Sequence, residues 1–360
     1  RAYEKLTVSK KSDRFQFILP YYNFTKNFDK EFFNGQLGFS SSGSNNLSNT
    51  NELQSSINNN FDYTSNKIIS SNGIVNNFNI YFKNTNTVGK QSTSYRSSPE
   101  IDLWNINEYT AELPLIKTSE NFNNFFTPKL SFRFNPTDMK DHSNKSRGID
   151  VGNIFSINRL GINNSYEQGR SLTAGINFKK EKLDDINKYF ELKLASVFRD
   201  KEYSFIPKTS SLNKKNSALF GSIETKLSDN ILLDYNFRVD NNYDKFEYNS
   251  IAANFIYKGL DTTFGFTEEN GEVGDSNFLS NQTTYTFNDH NFITFKTRRN
   301  RKINFTEYYD LIYEYKNDCL VAAIEYNKNY YQDRELKPGE EIFFKLTITP
   351  FSSINSPNMK

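Results

Sequence analysis

The segment from 342 to 351 limits the fold of this chain more than any other, because apolar and polar residues alternate along it. One set of alternate positions holds large apolar side chains, and the other set includes Lys345, Thr347 and Thr349. Successive side chains of a strand point to opposite sides, so this period-2 pattern predicts a β-strand with one apolar and one polar face. The apolar set and the strand end comprise Ile342, Phe344, Leu346, Ile348, Pro350 and Phe351.

The same alternation recurs along most of the chain and predicts about 17 strands, whereas helical periodicity is absent over any useful window. The upstream strands are predicted at 14–28, 34–42, 52–65, 74–85, 106–118 and 124–135. The downstream strands are predicted at 172–178, 190–198, 219–227, 231–239, 246–257, 262–267, 278–287, 292–298, 308–315, 320–331 and 342–351.

The connections between these strands alternate in length. Short turns are predicted at 228–230, 258–259, 288–290 and 316–318, and long connections at 200–216, 240–245, 268–277, 299–307 and 331–341. A membrane barrel has tight periplasmic turns at one end and longer extracellular loops at the other, whereas a soluble sandwich has no reason to separate loop lengths in this way. The rule places 136–168, the longest loop, outside, and it places Cys319 and Phe351 on the periplasmic side.

The composition agrees with an all-β, transmembrane antiparallel β-barrel. Hydrophobic residues make up only 36% and no run approaches the ~18 apolar residues of a membrane helix, yet aromatic residues reach 16%. In a barrel only alternate residues face lipid, the lumen is polar, and aromatic side chains ring both interfaces. A low-G+C genome would also enrich Asn, Lys, Phe and Tyr, but it would not create alternation. The balance of 44 basic and 42 acidic residues does not indicate a nucleic-acid or polybasic membrane-surface binder.

These patterns predict that the chain is divided into three parts. We expect an incomplete N-terminal segment at 1–13, an outer-membrane β-barrel region at 14–351 and a polar periplasmic tail at 352–360. The chain starts at Arg1 without the pattern of a signal peptide, which indicates a mature or excised piece. Bacterial single-chain barrels close with even strand numbers, so an odd count predicts further strands upstream.

Several motifs together resemble the LPS-assembly protein family, LptD, also called the organic solvent tolerance protein family. The resemblance covers most of 14–351 and is strongest from 120 onward. Its C-terminal part lies in 309–320, 325–331 and 346–351. Its other motifs are Phe126-Thr127-Pro128-Lys129, Asn135-Pro136, Asn153 to Leu160, Gly169-Arg170-Ser171-Leu172-Thr173, Val197-Phe198-Arg199-Asp200 and Ser211-Leu212-Asn213.

The resemblance implies a barrel of about 26 strands that transports lipopolysaccharide and inserts it into the outer leaflet of a Gram-negative outer membrane. It further implies a lipoprotein that plugs the barrel, and an N-terminal domain, absent from this sequence, that receives lipid from a periplasmic bridge protein. In the family the first and last strands form a lateral gate. The segment 342–351 occupies the last-strand position, where Pro350 would weaken the seam. No cofactor is implied.

Cys319 is the only cysteine and follows the 316–318 turn. Some members of the family carry two adjacent cysteines here, which form disulfides with the N-terminal domain, so the resemblance implies at most one such bridge for this chain. The periplasm is oxidising, which fits a disulfide to a cysteine outside this sequence. The alternative is a small buried apolar side chain at the start of a strand.

The densest basic stretch is 296–302, and its role has two interpretations. The first is contact with lipid phosphates, for which arginine offers paired donors. The second is pairing inside the lumen, with Asp310 and Glu314 as partners on the next strand. The candidate phosphate ligands are Lys296, Arg298, Arg299 and Arg301. The acidic loop 268–275 is interpreted as a solvated loop, with divalent cations as the alternative ligand.

Catalysis finds little support, because the two histidines, His142 and His290, fall in predicted loops and no nucleophile triad, metal cluster or phosphate loop stands out. We therefore predict a non-enzymatic lipid transporter of the outer membrane whose partners are lipopolysaccharide, the plug lipoprotein, the bridge protein and outer-membrane lipids, and not nucleic acid. The competing predictions are a passive porin or receptor barrel and a secreted β-structured adhesin.

Overall fold

The computed structural model describes residues 2–4, 15–28, 31–48, 51–163, 165–330, 339–348 and 352–355. Within them the chain forms one antiparallel sheet in which strands follow one another in chain order. The described part contains no helix long and apolar enough to cross a membrane. Its strands are β1 Ala2–Glu4, β2 Phe15–Asn27, β3 Gly35–Ser48, β4 Glu52–Ser65, β5 Ile68–Ile69, β6 Val75–Lys90, β7 Glu100–Glu112, β8 Leu115–Thr118, β9 Phe122–Asn135, β10 Gly169–Lys182, β11 Tyr189–Arg199, β12 Leu219–Ser228, β13 Ile231–Val239, β14 Phe246–Tyr257, β15 Leu260–Glu269, β16 Ser276–Asn288, β17 Asn291–Asn300, β18 Phe305–Lys316, β19 Leu320–Asn329, β20 Gly339–Ile348 and β21 Ser352–Asn355.

Each predicted strand overlaps a strand of the structure, but several ends differ. The strand predicted at 106–118 is two strands, β7 and β8, which Leu113 and Pro114 separate. Proline lacks the N–H that a ladder needs, which explains the break. Pro20 lies inside β2, where the register with β3 shifts between Ile18 and Tyr21. The last strand, predicted at 342–351, runs from 339 to 348, and 349–351 lie outside the described residues.

One face of the sheet carries a band of exposed apolar side chains. Across β7, β9, β10 and β11 the facing residues are Tyr109, Phe132, Leu172 and Phe198. Each is between 39% and 45% exposed. A registered band of large exposed apolar residues is what a sheet presents to acyl chains, and a closed β-barrel is the sheet arrangement that spans a bilayer. The fold is therefore all-β, that of a transmembrane antiparallel β-barrel of the outer-membrane type.

The opposite face of the same four strands is polar and buried. The next row of facing residues contains Glu108, Arg133, Ser171 and Arg199, each at most 8% exposed. Two long connections cover it, residues 136–168 between β9 and β10 and residues 200–218 between β11 and β12. They share an apolar core with the strands, whose buried members are Met139, Ile149, Ile154, Leu160, Ile162, Ala195, Val197, Tyr203, Ile206, Leu212, Ala218 and Phe220. We call this face the inner face.

The outer face is less uniformly apolar than the sequence analysis expects. In the middle of β3, β4 and β6 it carries Ser41, Asn59 and Asn84, which face one another in register. The Ser41 hydroxyl donates to the Asn59 carbonyl oxygen at 2.7 Å, and the Asn59 amide donates to that of Asn84 at 3.1 Å. The exposed Phe24 and Leu103 continue this row on either side. The amides therefore satisfy one another, which reduces the cost of placing them towards lipid.

Candidate functional site: the covered inner face and the terminal strands

The covered inner face centres on a buried carboxylate, Glu167, at the end of the long connection before β10. Arg159 binds it in a paired geometry, with Nε to Oε1 at 2.6 Å and Nη2 to Oε2 at 2.7 Å. The same guanidinium donates to Thr173 Oγ1 at 2.8 Å and to Ser171 Oγ at 3.2 Å, both on β10. Arg159 therefore ties the connection 136–168 to the barrel wall, and it is only 2% exposed.

A second arginine reaches Glu167 from the wall. Arg199, the last residue of β11, donates from Nη1 to Glu167 Oε2 at 2.7 Å and from Nη2 to the carbonyl of Gln168. Burial alone would raise the pKa of Glu167, but the charges and hydrogen bonds of Arg159, together with the charges of Arg199 and Arg133, lower it to about 2. Glu167 is thus ionised over the whole physiological pH range.

A parallel pair lies beside it on β7 and β9. Arg133 donates from Nη2 to Glu108 Oε1 at 2.9 Å and to the carbonyl of Ser156 in the connection at 3.0 Å. Ser131 donates to the same carboxylate oxygen at 3.0 Å. This second ion pair therefore also holds the covering segment against the wall. Buried charges persist where they are paired and hydrogen-bonded in this way.

The sequence motifs identified above meet at this network although they are far apart in the chain. Arg159 belongs to the motif 153–160, Ser171 and Thr173 to 169–173, and Arg199 to 197–200. Sequence reasoning assigned no role to the charged residues among them and missed Glu167 and Glu108 altogether. The available signal was an arginine inside the motifs 153–160 and 197–200. The pairing of β10 with β9 and β11 then brings Arg199 and the hydroxyls of Ser171 and Thr173 to the same place on the inner face.

The basic stretch at the end of β17 is paired rather than free. Arg298 forms an ion pair with Glu307 at 3.1 Å and lies over the ring of Phe278, with 3.9 Å from the guanidinium carbon to the ring centroid. Glu307 was not among the partners predicted on the next strand for this stretch, Asp310 and Glu314; the register places Arg298 opposite Tyr308, next to Glu307. The other candidates also contact neighbours: Lys296 faces Asp310, Arg299 donates to Asn304 and Arg301 lies over Phe266.

The last strands show the alternation of apolar and polar residues that the sequence predicts for 342–351. The apolar residues Ile342, Phe344, Leu346 and Ile348 all lie on the outer face, where each is between 38% and 45% exposed. They face Tyr326, Ile324, Ala322 and Leu320 of β19, respectively. In the described residues β20 pairs with β19 from 339 to 348, but with β21 only from 345 to 348. Pro350 and Phe351 lie outside the described residues.

Cys319 is an exposed free thiol in the turn between β18 and β19. Its backbone N–H donates to Asn317 Oδ1 at 3.0 Å. The exposure contradicts the alternative of a small buried side chain and leaves the thiol accessible to a partner outside this sequence. The described residues contain no group of three or more His, Cys, Asp or Glu side chains arranged to hold a metal ion.

Comparisons with known proteins give only distant likeness. No family model and no curated protein matches the chain. Among solved structures, the siderophore receptor PirA from Acinetobacter baumannii is similar at 9% identity and a TM-score of 0.39, over 92% of this chain and 65% of that one. A mutant of the ferric enterobactin receptor PfeA from Pseudomonas aeruginosa, in complex with enterobactin, is similar at 8% identity and a TM-score of 0.39, over 91% of this chain and 63% of that one. The chain thus spans less than two thirds of the length of these structures.

Proposed function

We propose that this chain is the barrel portion of an outer-membrane translocon that transports lipopolysaccharide and inserts it into the outer leaflet through a lumen and a lateral gate. It performs no covalent chemistry in this role. Its proposed partners are lipopolysaccharide, a plug lipoprotein, the periplasmic bridge protein that delivers the lipid, and the surrounding outer-membrane lipids.

The observation that carries the proposal is the convergence of the family-like motifs on one buried network. Motifs at 153–160, 169–173 and 197–200 supply the arginines and hydroxyls that surround Glu167. Side chains that act as one physical unit explain why those motifs occur together in one sequence. The motifs that resemble the LPS-assembly family thus form one connected unit in this chain, and this supports the proposal.

The two faces of the sheet have the polarity that the transport requires. The inner faces of β3 and β4 carry Ser, Asn, Gln and Asp side chains, which offer hydrogen bonds to a sugar-phosphate head group. The outer face presents an apolar band to acyl chains. A lipid with its polar head in the lumen and its acyl chains in the bilayer needs a seam between strands. We assign one lip of that seam to β20, whose pairing with β21 covers only 345–348 within the described residues.

Depletion of the full-length protein in its native cell tests the proposal. We expect newly made lipopolysaccharide to accumulate in the periplasm or inner membrane and the cells to become sensitive to detergent. Normal surface lipopolysaccharide combined with lost uptake of a solute would instead support a passive porin or receptor. Absence of heat-modifiable migration in detergent would support the secreted adhesin.

A further inference from the structure

A roofed cavity of about 450 Å³ lies on the inner face where β12, β13, β14 and β15 meet the two covering connections. One row of facing residues forms its wall: Phe220, Arg238, Tyr248 and Glu269. Asn236 adds an amide to the wall, and Asp150, in the connection 136–168, belongs to the roof. The volume lies within the range of about 300–1,000 Å³ that small-molecule sites occupy.

The roof and the wall are tied together, so the cavity is preformed. Arg238 forms an ion pair with Glu247 at 2.8 Å and donates from Nη1 to the carbonyl of Thr209. Thr209 accepts the backbone N–H of Arg147 at 2.8 Å and donates its hydroxyl to the Arg147 carbonyl at 3.1 Å. A rigid site loses less conformational entropy when a ligand binds, and the binding free energy is correspondingly larger.

Several polar groups of the cavity remain available to a ligand. Among the described residues the Tyr248 hydroxyl makes no hydrogen bond, and Asp150 uses only Oδ1, which accepts the backbone N–H groups of Gly152 and Asn153. Within the part of the chain that the structure describes, Glu269 uses only Oε2, which accepts the Ser276 hydroxyl at 2.7 Å. A hydroxyl, an amide, free carboxylate oxygens and an aromatic ring together match a sugar ring, which presents hydroxyl groups along its rim and C–H groups on its faces.

The charge of the cavity selects among sugars. Its lining carries the carboxylates of Asp150 and Glu269, while its one guanidinium, Arg238, is already paired with Glu247. The carboxylate of the nearby Glu272 also interacts electrostatically with Arg238. Phosphate groups would meet an excess of like charge at close range, which disfavours them. Uncharged and amine-bearing sugars meet no such repulsion.

We propose that this cavity is a saccharide subsite that binds uncharged or amine-bearing sugar rings and rejects phosphorylated ones. The biological role of the subsite rests on the proposed function. In that role the cavity would bind the non-phosphorylated sugars of the lipopolysaccharide as the lipid passes through the lumen. The phosphorylated part of the same head group would pass elsewhere along the inner face.

The test uses the purified full-length protein with its natural partner proteins in detergent and measures saturation-transfer NMR signals from three probes: methyl glucoside, methyl glucosaminide and glucose 6-phosphate. We expect binding of the first two and none of the third. Tyr248→Phe and Asn236→Ala each remove hydrogen bonds and should weaken binding roughly 3- to 10-fold. Tyr257→Phe, on the exposed outer face, is the matched control and should bind as the parent protein does.

Two results overturn the inference: equal binding by the parent and both inner-face variants, or preferred binding of glucose 6-phosphate. Heat-modifiable migration of each variant shows that the barrel is intact, so a lost signal is not a failure to fold. The proposed function fails separately. If depletion leaves surface lipopolysaccharide normal, the proposed transport function is refuted. A sugar-binding signal that depends on Tyr248 would still support the saccharide subsite in that case.

Discussion

Replacement of Glu167 by alanine should release the connection 136–168 from the inner face while the barrel stays folded. The substitution removes the carboxylate that Arg159 contacts at 2.6 and 2.7 Å and Arg199 contacts at 2.7 Å. Two guanidiniums then remain buried without their shared counter-charge. Loss of one partner from a buried ion pair costs about 3–5 kcal/mol, chiefly because the remaining charge is uncompensated.

That cost falls on the docking of the connection and not on the sheet, because the ladders between β9, β10 and β11 involve backbone groups that the substitution leaves in place. A loss of about 3–5 kcal/mol corresponds to a roughly 100- to 5,000-fold increase in the population of the undocked state. Backbone amides of 154–162, which includes the buried Ile154, Arg159 and Leu160, should exchange with solvent faster by that factor, up to the intrinsic rate, while amides of β10 change little.

Hydrogen–deuterium exchange with mass spectrometry on the detergent-solubilised protein measures this directly. The matched control is Asp184→Asn, which removes one partner of the exposed Lys182–Asp184 pair at 2.8 Å. Water screens the charges of this exposed pair, so exchange at 154–162 should not change in the control. Unchanged exchange in the Glu167 variant, or a uniform acceleration across the whole sheet, would refute the assignment of this network as a local latch.

Four further outcomes are expected. The folded-state pKa of Glu167, about 2, lies below its ordinary value of 4.5, so its stabilisation of about 3 kcal/mol is complete above pH 4.5 and is lost as the pH falls towards 2. The protection of the amides at 154–162, relative to their intrinsic exchange rate at each pH, should fall over that window and stay constant above it. Asn59→Leu alone should lower stability in vesicles by about 1 kcal/mol, because the Asn84 side-chain oxygen loses the Asn59 amide that donates to it. Adding Asn84→Leu should recover the loss, and a double variant less stable than the single one would contradict the ladder. Arg298→Gln should lower the free energy of unfolding by less than about 1 kcal/mol and leave the detergent resistance of cells unchanged, since its guanidinium pairs with Glu307 within the chain. A loss of detergent resistance without a loss of stability would instead indicate that Arg298 binds a lipid phosphate. In the exported full-length protein a maleimide should label Cys319 only after reduction, and labelling without reductant would exclude the bridge to a second cysteine.

The local sequence pattern predicted strands correctly wherever one face of the strand is apolar and outward and the other is polar and inward. The alternation in 342–348 correctly placed Ile342, Phe344, Leu346 and Ile348 on the exposed face, because the pleat fixes side-chain direction independently of distant contacts. Proline also interrupts pairing near Pro20 and Pro114 for a local reason, since it lacks the N–H that a ladder needs. The lumen partners predicted for the basic stretch, Asp310 and Glu314, did not include Glu307, which pairs with Arg298 beside a bulge that no sequence pattern reveals.

The candidate site was visible only in fragments. The motifs 153–160, 169–173 and 197–200 pointed to a family resemblance, yet nothing local showed that Arg159 and Arg199 share one carboxylate. The polar row at Ser41, Asn59 and Asn84 was likewise hidden, because each residue alone only weakens the alternation of its strand.

The sequence by itself determined the all-β, membrane-spanning architecture, because an alternating pattern with abundant aromatic residues leaves a barrel as the arrangement that satisfies every backbone hydrogen bond in lipid. Tertiary structure alone decided what fills the inner face. Residue 167 is separated by 59 residues of chain from position 108 and by 32 from position 199. Only the pairing of β7, β9, β10 and β11 brings those side chains under one covering segment, where burial makes their charges interact strongly.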